Sequence, residues 1–117
     1  MAFGGSVLSG STNGKPIPVA ATSTPGTLIH AAGAGTDGFD EVWLYASNVT
    51  GSAATLTIEW GGTSDPGDLF VKAYSVAANS AAIPIATGQR LNNGLEVRAF
   101  SGTASAINIT GGYDRKS

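Results

Sequence analysis

The chain has 117 residues, no cysteine, and six Lys and Arg against eight Asp and Glu, a formal net charge of −2. This excludes disulfides, thiolate metal sites and cysteine nucleophiles, and leaves too few cations for the basic footprint that nucleic acid demands. Charged residues make up only 12%, hydrophobic residues 42% and glycine 17 positions, a composition poor for disorder and poor for helix.

Residues 1–14 are rich in Gly and Ser and read as a flexible arm with linker composition, carrying Phe3, Val7 and Leu8 as possible anchors. The arm lacks the basic start and apolar run of a signal peptide, and no apolar run long enough to span a membrane occurs, so synthesis in a cytoplasm without a membrane partner is expected. The remaining residues, 15–117, read as one domain. Its first strand-like run is 15–22, placed at a sheet edge because Pro16 and Pro18 lack ladder donors. Residues 26–32 follow a Thr-Pro-Gly turn. Residues 39–49 and 53–60 are the clearest strands, in which β-branched and aromatic residues alternate with polar ones. Residues 69–76 come next, then a short run at 81–86 whose Pro84 marks another edge. Asn92-Asn93-Gly94 is a tight-turn signal, because Asn and Gly tolerate positive φ. The last two runs are 95–101 and 104–111.

Period-two patterning assigns Val42, Leu44 and Ala46 to one inward face. Leu56 with Ile58, Leu69 with Val71 and Ala73, Leu95 with Val97 and Ala99, and Ile107 with Ile109 form the others. Each strand then offers one apolar face, so two sheets must pack together. The expected fold is all-β: a two-sheet antiparallel β-sandwich of about eight short strands, immunoglobulin-like or jelly-roll-like.

The candidate chemistry is sparse. His30 is the only histidine and lies in an apolar run; with no Gly-x-Ser-x-Gly elbow, it reads as a packed side chain and not as a catalytic base. Asp37, Asp40 and Glu41, and Asp65 with Asp68, are oxygen ligands in two loops, yet no Asp-x-Asp-x-Asp-Gly loop supports calcium. Glu59 and Glu96 alternate with core positions and are expected on a solvated face. The two Asn-x-Thr sequons, at Asn48 and Asn108, read as chance matches. No catalytic residue, metal site or cofactor is expected. Trp43 and Tyr45 fall on the face opposite Leu44, a surface for a protein partner or a sugar, whereas Trp60 falls on the inner face or its rim.

Residues 40–46, Asp-Glu-Val-Trp-Leu-Tyr-Ala, followed by Leu-Thr-Ile-Glu-Trp-Gly-Gly at 56–62 and Asp-Pro-Gly-Asp at 65–68, resemble small virion proteins of tailed bacteriophages. The strand Leu-Glu-Val-Arg-Ala-Phe at 95–100 and the closing Asn-Ile-Thr-Gly-Gly-Tyr at 108–113 extend the likeness over residues 27–113. The resemblance implies a non-enzymatic structural protein of the virion. The expected role is a capsid decoration or cement protein, made in the host cytoplasm and carried on the capsid surface as a homo-oligomer, commonly a trimer, against the major capsid protein. Phe3, Val7, Leu8, Trp43 and Tyr45 are its candidate contacts. A neck, tail or head-fibre component, and a carbohydrate-binding β-sandwich module, are the alternatives.

Overall fold

The computed structural model describes residues 6–116 and contains eight strands and, among the described residues, no helix. They are β1 (Ile17–Pro18), β2 (Thr27–Ala31), β3 (Phe39–Asn48), β4 (Ala54–Trp60), β5 (Leu69–Val76), β6 (Ile83–Leu91), β7 (Glu96–Ser101) and β8 (Ile107–Lys116). They form two four-stranded antiparallel sheets, β1-β8-β3-β6 and β2-β7-β4-β5. The pairing is nested: β1 lies beside β8, β2 beside β7, β3 beside β6 and β4 beside β5. A ribbon of four such pairs wound across two sheets is the jelly roll.

The two proline-bearing runs are edges, as their missing donors require: β1 and β6 flank the first sheet. Leu91 closes β6 and the chain turns through Asn93 and Gly94, both with positive φ (61° and 69°), to enter β7 in the other sheet. The turn signal is therefore a corner between sheets and not a hairpin.

The core fills the space between the sheets. Val42, Leu44, Ala46, Ile107 and Ile109 from one sheet meet Ile29, Leu56, Ile58, Val97 and Ala99 from the other, all fully buried. Alternation on β3 is unbroken: every even-numbered residue from Asp40 to Asn48 is buried and every odd one half-buried. Three expected placements are corrected. Leu95 is exposed because it belongs to the corner before β7, and on the edge strand β5 Leu69 is half-buried and Ala73 exposed, while Val71 packs, partly buried, against the core as expected. The pairing of β5 with β4 is also irregular, and Ala73 adopts a left-handed φ of 48° at the irregularity. Glu59 is the third correction; it is buried, not solvated, because residues 24–26 cross the outer face of β4. Its carboxylate accepts hydrogen bonds from the Thr24 hydroxyl and, at 2.8 Å, from the Gly26 N–H. Gly26 permits this crossing, since a Cβ there would lie 2.5 Å from the Ala99 carbonyl oxygen.

Residues 6–14 are not set apart from the sandwich. Ser6 forms a two-bond bridge with Tyr113 of β8, and the Gly10 N–H donates to the Ile29 carbonyl of β2 at 2.9 Å. Leu8, between them, is 1% exposed and part of the core. The segment thus fastens the end of β8 that β1 leaves uncovered to the edge strand β2 of the other sheet and closes that side of the sandwich. The opposite side, between β5 and β6, has no such strap among the described residues and holds an apolar cleft lined by Val71, Tyr74, Ile83, Pro84 and Ile85.

Candidate functional site

Two places carry more than packing: a polar cluster on the strapped side, and an apolar surface that runs from the outer face of β3 to the open side.

The cluster is assembled by the strap and three strands. A β-bulge between Leu28 and His30 breaks the alternation of β2, so Ile29 and His30 are both fully buried. The ring of His30 bridges the sheets. Its Nε2 lies 2.7 Å from the carboxylate Oδ2 of Asp40, the buried second residue of β3. Arg115, from the end of β8, donates to both oxygens of Asp40, from Nε at 2.7 Å and Nη2 at 3.0 Å. Tyr113 packs its ring against the imidazole at 4.2 Å between centroids. On the other side of the ring, Nδ1 accepts the Ser9 backbone N–H at 3.2 Å and faces the Ser9 hydroxyl at 3.1 Å. The same hydroxyl accepts the Ala31 N–H at 2.6 Å.

These contacts fix the protonation state. An Nδ1 that accepts a backbone N–H carries no proton, so the proton is on Nε2, donated to Asp40, and the imidazole is neutral. Burial holds His30 below its ordinary pKa; the hydrogen bond and charge of Asp40 oppose that effect and the Arg115 cation reinforces it. Burial also pushes Asp40 upward, but the hydrogen bonds from Arg115 and His30, with the charge of Arg115, keep it below the ordinary carboxylate range.

The order Ser9, His30, Asp40 has the outline of an acyl-transfer triad. Such a triad needs the ring nitrogen's lone pair free to take the serine proton, and donors around a substrate carbonyl. Here that lone pair also receives Ser9's own N–H, the hydroxyl oxygen accepts from Ala31, and the cleft that Asp40 and Arg115 line includes neither Ser9 nor His30. What the arrangement does is join strap, β2, β3 and β8 at one point. Residues so far apart in sequence leave no spacing signal, and the packed reading of His30 named none of its partners.

The remaining acidic candidates are dispersed. Asp65 pairs with Lys72 at 3.0 Å, and Asp68 accepts the Ser64 N–H at 3.0 Å. Among the described residues no group of three or more His, Cys, Asp or Glu could hold a metal ion. Asn48 of the first sequon is buried and its amide is saturated. It donates to the carbonyls of Ser52 and Val76 at 2.9 and 3.1 Å and accepts from the Thr50 N–H and hydroxyl at 2.9 and 2.8 Å.

The apolar surface begins at Trp43 and Tyr45, both half-buried on the outer face of β3. Trp43 is flanked by small residues: Gly112 and Thr87 lie across from it, and a Cβ on Gly88 would sit 3.4 Å from the indole. Tyr45 lies across from Pro84, which also lines the open cleft. From there the cleft reaches Tyr74, 49% exposed; Phe70, 38% exposed, is also on β5, and its ring centroid lies 5.1 Å from that of Trp60. Trp60 is partly buried against the core, at the rim. No charged side chain lines the cleft. Of the arm candidates, Val7 is exposed, Leu8 is committed to the core, and Phe3 lies outside the described residues.

No protein-family model matches the chain, and neither a curated protein nor a solved structure matches it.

Proposed function

We propose that the protein is a non-enzymatic virion structural protein, a capsid decoration or cement protein that sits on the shell as a homo-oligomer, most simply a trimer, and clamps neighbouring subunits of the major capsid protein. The observation that carries this reading is the uncharged apolar surface from Trp43 and Tyr45, past Pro84, to Tyr74. A surface patch with two Tyr and a Trp, half-buried at Trp43 and Tyr45 and exposed at Tyr74, has the composition of a protein interface core. The low charge of the chain supports it, because weakly charged surfaces permit close lateral packing. The resemblance of the strand motifs to small phage virion proteins supports a shell as the partner. Repetition of many modest contacts over a symmetric shell would give strong attachment.

The test has two arms. Sedimentation of the purified protein should return a closed oligomer, and Tyr74→Asp, at an exposed position that leaves the core intact, should convert it to monomer. Incubation with undecorated shells should then show saturable binding of the wild type and at least tenfold weaker binding of the variant. A monomer at all concentrations that also fails to bind shells would overturn the reading. Binding confined to neck, tail or fibre structures would move the role there.

The flat, Gly-flanked Trp43 beside Tyr45 favours one second reading, a carbohydrate platform, since an aromatic face with small neighbours accepts the apolar face of a sugar ring. Retention on a polysaccharide column that Trp43→Ala abolishes would select it.

A further inference from the structure

The strap of residues 6–11 hangs on hydrogen bonds of two kinds. Those from Ser6 to Tyr113 and from Gly10 to Ile29 are backbone bonds and insensitive to pH. The bond from the Ser9 N–H runs to Nδ1 of a neutral histidine and exists only while that nitrogen is unprotonated. We propose that His30 is a proton-operated latch: a proton on Nδ1 releases residues 6–11 from the side of the sandwich and uncovers the Leu8 site, while both sheets stay folded. The proposal concerns the chain itself and stands whether or not the protein decorates a shell.

The geometry leaves the added proton no easy accommodation. With Nδ1 protonated, two donors face each other, the ring N–H and the Ser9 N–H, across 3.2 Å. The Ser9 hydroxyl, which accepts the Ala31 N–H at 2.6 Å, can turn its second lone pair to the new proton, but that leaves the Ser9 N–H still facing the ring N–H. The charges that face the ring are set by the surrounding strands: Asp40 from β3, and Arg115 and the Tyr113 ring from β8, while β7 places the apolar Val97 opposite. Asp40 and Arg115 already balance each other, so a cationic His30 adds an uncompensated charge at a fully buried position. Movement of Ser9 away from the ring relieves both problems at once, because it removes the opposing donor and admits water to Nδ1. The burial that lowers the basicity of His30 in the closed state is lost when the strap lifts, so the open form holds the proton more tightly. Linkage then fixes the size of the effect. Between the ordinary histidine pKa near 6.5 and the lower value of the closed form, the opening constant rises up to tenfold for each unit of pH lost.

Amide hydrogen exchange on the full chain, corrected for intrinsic rates and read between pH 8 and pH 4, tests the latch. The amides of Ser9, Gly10, Ser11 and Ala31 should show opening constants that are flat above pH 7 and climb up to tenfold per unit below pH 6.5. Leu44 and Val97 should keep their protection over the same range. Ring nitrogen shifts of the wild-type protein should place the neutral proton on Nε2 and show Nδ1 gaining its proton in step with that climb. In His30→Gln the climb should vanish. If that variant does not fold, the wild-type ring shifts and exchange decide the matter alone. Strap protection that is the same at pH 5 and pH 7, or a loss of protection at Leu44 and Val97 in step with the strap, would overturn the proposal.

Discussion

The Asn48 amide offers a direct test of how the loop after β3 is held. All four of its hydrogen-bonding sites are used, and it joins the end of β3 to the carbonyl of Val76 at the end of β5. Replacement by Ala removes both donors. The Val76 residue is buried, so its carbonyl stays dry and unpaired at about 1–3 kcal/mol. The Ser52 and Thr50 groups sit at the surface and recover water, so each loses only the net worth of a bond, about 0.5–1.5 kcal/mol. The expected loss for Asn48→Ala is therefore about 2–6 kcal/mol, a large share of the 5–15 kcal/mol typical of a domain. Asn48→Asp should be worse at neutral pH, because a nearly isosteric carboxylate would turn acceptor oxygens toward two carbonyls. Urea melts followed by tryptophan fluorescence measure both. The reasoning fails if Asn48→Asp is as stable as the wild type at pH 7, or more stable than Asn48→Ala.

Three further outcomes follow from the core and the buried charges. Leu44→Ala and Ile58→Ala, both at fully buried positions, should each cost about 2–5 kcal/mol in the same melts, and losses below about 0.5 kcal/mol would contradict the register of β3 and β4. Glu59→Gln keeps an oxygen for the Gly26 N–H and should lose about 1 kcal/mol, while Glu59→Ala strands that buried N–H, also loses the bond from the exposed Thr24, and should lose about 2–4 kcal/mol; equal losses would mean that the crossing of residues 24–26 does not depend on this carboxylate. Stability should be level above pH 7 and fall as pH drops below 6.5, because the unfolded chain protonates His30 there while the folded one resists, with a slope of up to about 1.4 kcal/mol per unit. A second fall belongs to Asp40 below its ordinary 3.8, since its folded form holds the charge to lower pH; a flat profile from pH 7 to pH 4 would refute the buried neutral histidine.

The parts of the fold legible in the sequence are those that obey one local rule. Strand β3 alternates without a break, and Leu44, Ile58, Val97 and Ile109 are all buried as period two demands. Pro18 and Pro84 announced two edges through the donors they lack. Departures occur where a distant segment changes what a strand sees. Glu59 follows the outward phase of β4 yet is buried, because residues more than thirty positions earlier cross above it. Leu8 looked like part of a linker because its neighbours are Gly and Ser, but those small residues let the chain run close along β2. Ser9, Asp40 and Arg115 gather around His30 through the sheet topology alone, which no window of sequence contains. Trp43 and Tyr45 do point outward, but the cleft that continues their surface arises from the bulged edge β5, where Val71 packs against the core and lines the cleft as well.

The nested pairing of strands has a kinetic side. The pair β4–β5 is joined by the shortest path, and each later pair encloses the one before it, until Ile17 meets Ile109 across almost the whole chain. The entropy of closing a loop grows with the chain it encloses, so forming an inner pair shortens the free path to the next one out. Folding should thus spread from the middle of the chain toward its ends, on the order of milliseconds to seconds as for other topologies dominated by distant contacts. The β1–β8 pairing and the Ser6 bridge would form last. Mutations in β4 and β5 would then slow folding, and those in the strap would speed unfolding.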